Sequence, residues 1–406
     1  MNKKTIRDLS SAELRNRRVL VRVDYNVPIE DGRISDDTRI RATLGTLRYL
    51  VGHGARVILT SHLGRPKGKA SPEFTLKPAA DRLSELIDAP VRFVPDVAGA
   101  EARAAADALQ PGQILVLENS RFLAGEEKND PELSQRFAEL ADVYVNDAFG
   151  AAHRAHASTA GVAEVVRAAG KPAVAGLLMA DELRYLGAAL GNAERPLVAI
   201  LGGAKISGKI DVIENLLPRA DHVLIGGAMA NTFFKAMGLE VGLSLVEDDR
   251  VEMAADLLER VGAKLVLPVD CVVAAEATAD ARIAECDRTE VHASARILDI
   301  GPRTVAVFGE LIAQAKTVVW NGPMGMFEVE PFARGTEGIA EWVAEATERG
   351  ATTILGGGDT AAAAAKAGVV ERMSHVSTGG GASLEFLEGK TLPGVAALDD
   401  ASGHDR

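Results

Sequence analysis

Ten short runs of valine, isoleucine and leucine, each followed by a helix-prone stretch, constrain this chain more than any other feature. They fall at 18–23, 56–60, 114–117 and 143–145, and then at 197–201, 222–225, 264–267, 317–320, 352–355 and 375–377. Apolar runs without polar alternation suit strands buried on both faces of a parallel sheet. Their alternation with helices dictates an α/β fold, and ten strands suit two sheets better than one. At 406 residues the chain also exceeds what a single core supports. The expected architecture is two similar-sized doubly wound domains, each a mainly parallel sheet flanked by helices, spanning 1–180 and 197–391. Between them Leu183, Leu186 and Leu190 mark one helix face, Gly191-Asn192 offers a C-cap and Pro196 a stop, so 181–196 reads as a connecting hinge helix. The tail beyond Pro393 is too short to fold alone and must dock or fray. The stretch 270–300 has no clear period and receives no assignment.

Composition narrows the function. With 57 acidic against 45 basic residues the formal charge is −12, which argues against a nucleic-acid or anionic-membrane binder. Cys271 and Cys286 are too few for a secreted disulfide framework, and they form no CxxC zinc pair. Lys3 and Lys4 precede no apolar signal region, and no run approaches the ~18 apolar residues of a membrane span. A soluble, reduced, cytoplasmic protein is expected.

Ligands of open α/β sheets bind beyond the carboxyl ends of the strands, and there the two halves differ. First-half strands are followed by Asp24 and Asn26, by His62, Leu63, Gly64 and Arg65, by Arg121, and by His153, Arg154 and His156, with Arg39 and Arg41 in the segment after the first. An acidic chain that gathers arginines at one sheet edge is building a local anion pocket, because a guanidinium donates two parallel hydrogen bonds to phosphate or carboxylate. Second-half strands end in glycines: Gly202-Gly203, Gly226-Gly227, Gly322 and Gly325, Gly356-Gly357-Gly358, and Gly379-Gly380-Gly381. Glycine followed by a helix N-terminus cradles phosphates, so this half reads as a nucleotide domain.

Two near-motifs are set aside. Gly203 to Lys209 fits GxxxxGK, but Ile210 stands where a P-loop needs Ser or Thr. Gly356 to Ala361 fits GxGxxA, yet the position 20 residues on from Gly358 is Thr378, with only Glu371 and Glu385 nearby as a ribose acid. That loop leaves an NAD-dependent oxidoreductase open, and a non-catalytic nucleotide-binding or scaffolding protein is the other alternative. Asp359 inside a phosphate loop suggests a metal ion bridging it to phosphate.

Taken together, Arg22-Val23-Asp24-Tyr25-Asn26-Val27-Pro28 and the stretches 61–66, 147–156, 202–209, 320–328, 356–360 and 377–383 resemble phosphoglycerate kinase, with seven motifs in order over nearly the whole chain. Departures are small: Tyr25 where Phe is common, and Ala157. The resemblance implies reversible phosphoryl transfer between 1,3-bisphosphoglycerate and MgADP, giving 3-phosphoglycerate and MgATP. It further implies in-line transfer with hinge-bending closure and a monomer whose tail, 392–406, docks back on the first domain. By matching motif, Asp24, Asn26, Arg39, His62, Leu63, Gly64, Arg65, Arg121 and Arg154 would hold the phosphoglycerate. Lys205, Lys209, Asn321, Pro323, Glu328, Gly357, Gly358, Asp359 and Thr360 would hold the nucleotide, with Mg²⁺ on Asp359. Arg39, Lys209, Gly358 and Gly381 would be catalytic. No general base is expected, because the acceptor carboxylate is already ionised at neutral pH.

Overall fold

The computed structural model describes residues 2–30, 32–191 and 193–401. The chain divides into two compact units, Met1–Arg184 with Thr391–Arg406, and Tyr185–Lys390.

The first unit is built on six parallel strands: β1 (Arg18–Arg22), β2 (Arg56–Thr60), β3 (Val91–Phe93), β4 (Ile114–Val116), β5 (Val143–Asn146) and β6 (Ala173–Ala175). Their order is β3-β4-β2-β1-β5-β6. The central β1 places Val19 beside Val57 on one side and Val143 on the other. These side chains, with Ile40, Leu44 and Leu47 of the Thr38–Gly52 helix, form one fully apolar core. The sequence reading misses β3 and β6. Val91–Phe93 is a three-residue, half-exposed edge strand, and Ala173–Ala175 is mostly alanine, which carries little strand preference.

The second unit has its own six parallel strands: β7 (Leu197–Leu201), β8 (His222–Ile225), β9 (Leu265–Val266), β10 (Thr317–Asn321), β11 (Thr352–Gly356) and β12 (His375–Val376). The order is β9-β8-β7-β10-β11-β12, the 3-2-1-4-5-6 arrangement whose direction reverses between β7 and β10. The Arg334–Glu348 helix packs Ile339, Val343 and Ala344 on this sheet with Val318 and Trp320.

The unassigned stretch 270–300 forms a three-stranded antiparallel sheet, with Asp270–Ala274 between Ala284–Asp287 and Arg296–Ile300. Its outer strands are partly exposed and charged, so neither the alternation nor the apolar run of an ordinary strand is visible.

The helix expected at 181–196 spans Leu177–Leu190 instead. Its start is fixed from far away in sequence: Leu177 N–H donates to Thr46 Oγ1 (2.8 Å) and Met179 N–H to Asp147 Oδ1 (3.1 Å). No local signal could reveal that cap. Of the expected C-cap pair, Asn192 lies outside the described residues.

The C-terminal segment packs on the first unit, with Leu398 fully buried, Gly394 N–H on the Ala152 carbonyl (2.8 Å) and Arg167 on Asp399 (2.9 Å). The last five positions of the 392–406 tail lie outside the described residues. Among those described, no helix is long and apolar enough to cross a membrane.

Candidate active site

In the first unit the ends of β1, β2, β4 and β5 converge, and side chains tie them together. Arg39, in the first turn of the Thr38–Gly52 helix, places Nη1 3.3 Å from Asp24 Oδ2 and donates to the Asn26 carbonyl at 2.9 Å. The Asn26 amide oxygen accepts the Gly64 N–H (2.9 Å), while Arg121 Nη1 donates to the Gly64 carbonyl (2.7 Å). Both backbone groups of Gly64 are thereby held by side chains from neighbouring strand ends. Leu63 is held likewise by Asn119, whose Oδ1 accepts the Leu63 N–H and whose Nδ2 donates to the Leu63 carbonyl.

His62 is buried at the centre of this cluster. Burial first, then the positive fields of Arg22, Arg121 and Arg39, push its pKa well below the usual histidine value. It is therefore neutral at physiological pH. Arg22 Nη2 donates to His62 Nδ1 at 3.0 Å, which puts the imidazole proton on Nε2 as a free donor. His156 is driven down to about 4 by burial and by Arg22, Arg121 and Arg154. The site is thus a group of guanidinium cations and neutral imidazoles, with Asp24 beside Arg39 and Glu127 beside Arg121. Arg65 and Arg154 are exposed, and Arg154 Nε donates to His153 Nε2 at 3.2 Å. Tyr25 is buried with its hydroxyl 3.0 Å from Thr43 Oγ1, so the residue that departs from the expected Phe has its polar atom satisfied.

Sequence reasoning passes over the support beneath these residues. Arg22 is fully buried, donates from Nε to Ser158 Oγ (2.9 Å), and Ser158 Oγ donates in turn to the fully buried Glu126 (2.5 Å). Glu126 also accepts from Ser120 and from the Ser158 N–H. The available signal was an arginine closing the apolar run 19–21, since a charge in such a run requires a buried partner.

The second unit carries a cavity of about 410 Å³ at its strand ends, lined by Gly203, Ala204, Pro323, Met324, Glu328 and Asp359 on the parallel-sheet side. Ile297, Leu298 and Ile300 of the antiparallel sheet contribute an apolar wall. The cavity sits where β7 and β10 diverge, which is where doubly wound folds bind ligands. Glycines admit that geometry in two distinct ways. A Cβ on Gly202 would strike the Pro323 carbonyl, and one on Gly322, with φ of +97°, would strike the Gly202 backbone; these two let loops pack backbone on backbone. Gly358 and Gly381, by contrast, face open space at helix starts.

Of the candidates from sequence, Pro323, Glu328 and Asp359 line the cavity. Lys209, Asn321 and Thr360 lie beside it in one hydrogen-bonded cluster. Lys209 Nζ donates to Asn321 Oδ1, Asn321 Nδ2 to the Gly356 carbonyl (2.9 Å), and Thr360 Oγ1 to the same carbonyl (2.7 Å) while accepting the Gly322 N–H (2.7 Å). Burial brings the Lys209 ammonium down to about 8, opposed by the negative charges of Asp359 and Glu388. Lys205 is exposed, and Gly357 takes φ of +93° as the residue before the Gly358–Lys366 helix.

Mg²⁺ fits this arrangement through one carboxylate. Asp359 is exposed on the cavity lining, and Mg²⁺ is commonly held by one or two carboxylates together with substrate phosphates. Among the described residues no cluster of three or more His, Cys, Asp or Glu could hold a metal by itself.

Comparison with known proteins identifies the family. A family model described as phosphoglycerate kinase matches residues 7–390. The chain is 57% identical over 99% of its length to the whole of a phosphoglycerate kinase from Chloroflexus aurantiacus, and 55% identical over 98% of its length to the whole of one from Chlorobaculum tepidum. The solved structure of phosphoglycerate kinase from Coxiella burnetii superposes with a TM-score of 0.88 at 44% identity, covering 98% of both chains. That from Pyrococcus horikoshii gives 0.81 at 35% identity, covering 97% of this chain and 98% of the other. With a matching family model and relatives this similar along nearly the full length, the chain belongs to the phosphoglycerate kinase family.

Proposed function

We propose a division of labour for the family's reaction, the reversible phosphoryl transfer between 1,3-bisphosphoglycerate and MgADP that yields 3-phosphoglycerate and MgATP. The first unit holds the triose through Asp24, Asn26, Arg39, His62, Leu63, Gly64, Arg65, Arg121 and Arg154. The second holds the nucleotide through Lys205, Lys209, Asn321, Pro323, Glu328 and the 357–360 turn. The observation that carries the division is the contrast in donors: forked guanidiniums fixed by their neighbours in one unit, glycine loops at a switch-point cavity in the other.

The chemistry asks little of proton transfer. In the ATP-consuming direction the nucleophile is the carboxylate of 3-phosphoglycerate, ionised well below neutral pH, so no base is needed. His62, neutral and donating from Nε2, orients the triose. Arg39 and Lys209 supply positive charge around the transferring group, and the N–H groups at Gly358 and Gly381 add backbone donors. Mg²⁺, held by Asp359 and the nucleotide, neutralises phosphate charge when bound. Thr360 serves mainly by fixing the turn, because its hydroxyl already bonds Gly356 and Gly322. The reading includes a hinge-bending step during turnover and a monomeric, cytoplasmic enzyme.

The test is formation of the acyl phosphate from 3-phosphoglycerate and MgATP, trapped with hydroxylamine. Arg39→Ala is expected to lower kcat about 10²–10³-fold, the usual cost of removing one transition-state donor. Retention of parental turnover in that variant would remove Arg39 from its assigned role.

A further inference from the structure

The antiparallel sheet that walls the cavity brings together the chain's two cysteines. Cys271 lies on the central strand Asp270–Ala274 and Cys286 on the outer strand Ala284–Asp287, and the register sets them directly opposite one another. Opposed residues of an antiparallel pair point to the same face with Cα atoms about 4.5–5.5 Å apart. That separation falls inside the range of about 4.4–6.8 Å that a disulfide spans without backbone movement. Both thiols are free in this structure. Their exposure is unequal, Cys271 being buried and Cys286 half-buried. Cys271 also belongs to the cavity lining, so a bond at this rung would fix the outer strand to a central strand that reaches the cavity.

We propose that Cys271 and Cys286 are a reversible oxidation site, forming a cross-strand disulfide at the expense of a small-molecule disulfide. The more accessible Cys286 reacts first: its thiolate attacks one sulfur of the oxidant, the oxidant's S–S bond breaks and one small thiolate leaves. The Cys271 thiolate then attacks Cys286 Sγ, forming the protein disulfide and expelling the oxidant's second half. Two cysteines are oxidised, one disulfide is reduced to two small thiols, and those thiols take up both protons.

The surroundings set the conditions. Burial raises both thiols, and Asp270 and Asp287 add negative charge around each, with Glu290 acting further on Cys286 and Arg288 opposing on Cys271. A neutral oxidant at mildly alkaline pH therefore suits this pair better than an anionic one at neutral pH.

The experiment incubates the full chain, folded, in buffers of bis(2-hydroxyethyl) disulfide and 2-mercaptoethanol at varied ratio. Samples are quenched with acid, alkylated under denaturing conditions and mapped without reduction. The expected result is simultaneous loss of both thiols, a peptide pair linking Cys271 to Cys286 within one chain, recovery of both thiols with dithiothreitol, and an upward shift of Tm in the oxidised form. A Cys286→Ser variant is expected to show none of these changes. A persistent adduct on Cys286 with Cys271 still reduced would overturn the proposal. So would linkage between two chains, or linkage that appears only after unfolding.

Discussion

The two units share a fold class but build their binding edges from different parts of the chain. In the first, Arg39 is held by the Asp24 carboxylate and the Asn26 carbonyl, Arg121 by the Gly64 carbonyl and Glu127, and His62 by Arg22, above a buried layer of Arg22, Ser158 and Glu126. In the second, glycine loops pack backbone on backbone, and the polar side chains chiefly lock turns. A small triose carrying a carboxylate and a phosphate needs directional forks at fixed places. A polyphosphate chain is served by N–H groups at helix starts. The units should therefore fail differently, one to deletion of a charge and the other to addition of a single carbon.

The largest effect is expected at Arg22. Arg22→Met removes the cation that faces buried Glu126 through Ser158, leaving the buried carboxylate with hydrogen bonds from Ser120 and Ser158 but without that cation, at a cost of about 3–5 kcal/mol. Both tryptophans, Trp320 and Trp342, lie in the second unit. Hydrogen exchange should thus accelerate in first-unit peptides while the tryptophan-detected transition holds its place. An equal shift in both would break the comparison.

Next in size is Gly322→Ala. At φ of +97° and against the Gly202 backbone, a methyl group forces strain of about 1–3 kcal/mol, read as an earlier tryptophan transition. Gly358→Ala is the matched control, because its φ is ordinary and nothing lies within 4 Å of the added carbon. That variant should keep its stability and raise KM for nucleotide.

The core of each unit was legible because it is written in contiguous residues. Runs such as Leu197–Leu201 and Arg56–Thr60 coincide with observed strands, and the motifs read after them lie at the carboxyl ends of those strands. What escaped was set by distant partners. The Leu177–Leu190 helix begins where Thr46 and Asp147 cap it, and Glu126 matters only because the fold brings Ser158 and Arg22 to it. Asp270–Ala274 forms a strand because Ala284–Asp287 and Arg296–Ile300 pair with it, while its own segment shows no period. The candidate site residues at the strand ends left local motifs. Residues whose role is to hold those residues left almost none.

Lys209 sharpens the contrast from the second unit's side. Its ammonium, lowered to about 8 mainly by burial, is charged at neutral pH and loses its proton as pH rises. kcat/KM for nucleotide, which reports the free enzyme, should fall about tenfold per pH unit above about 8. Lys209→Arg keeps its charge and should flatten that limb even though its basal rate is lower. Asp359→Asn removes an opposing negative charge and should move the limb to lower pH. The guanidiniums of the first unit carry a charge that is not lost in this range, so its phosphoglycerate side should give no such limb.

The smallest expected effect separates the units by acid. His62 and His156 are held neutral in the folded first unit, whereas an unfolded histidine takes a proton below about 6.5. Their contribution is complete above that value and is lost as pH falls below it, for His156 until about 4. Buried Asp147, raised to about 6, acts in the opposite sense: folding favours its protonated form, so the cost of ionising it is relieved on acidification. The second unit has Asp299, raised to about 7 by burial despite N–H donors from Gly335 and Ile300. Between about pH 7 and 5, two histidines outweigh one aspartate in the first unit, and Asp299 has no such opponent in the second. The first unit should lose, and the second gain, stability on the order of 1 kcal/mol. Urea midpoints from tryptophan fluorescence, set beside hydrogen exchange in first-unit peptides at the two pH values, measure the difference. His156→Gln, which keeps a polar side chain without a titrating one, should remove most of the first unit's net loss, because Asp147 then offsets the one histidine that remains. If the variant leaves that loss unchanged, the acid sensitivity of the first unit arises elsewhere than in its anion pocket.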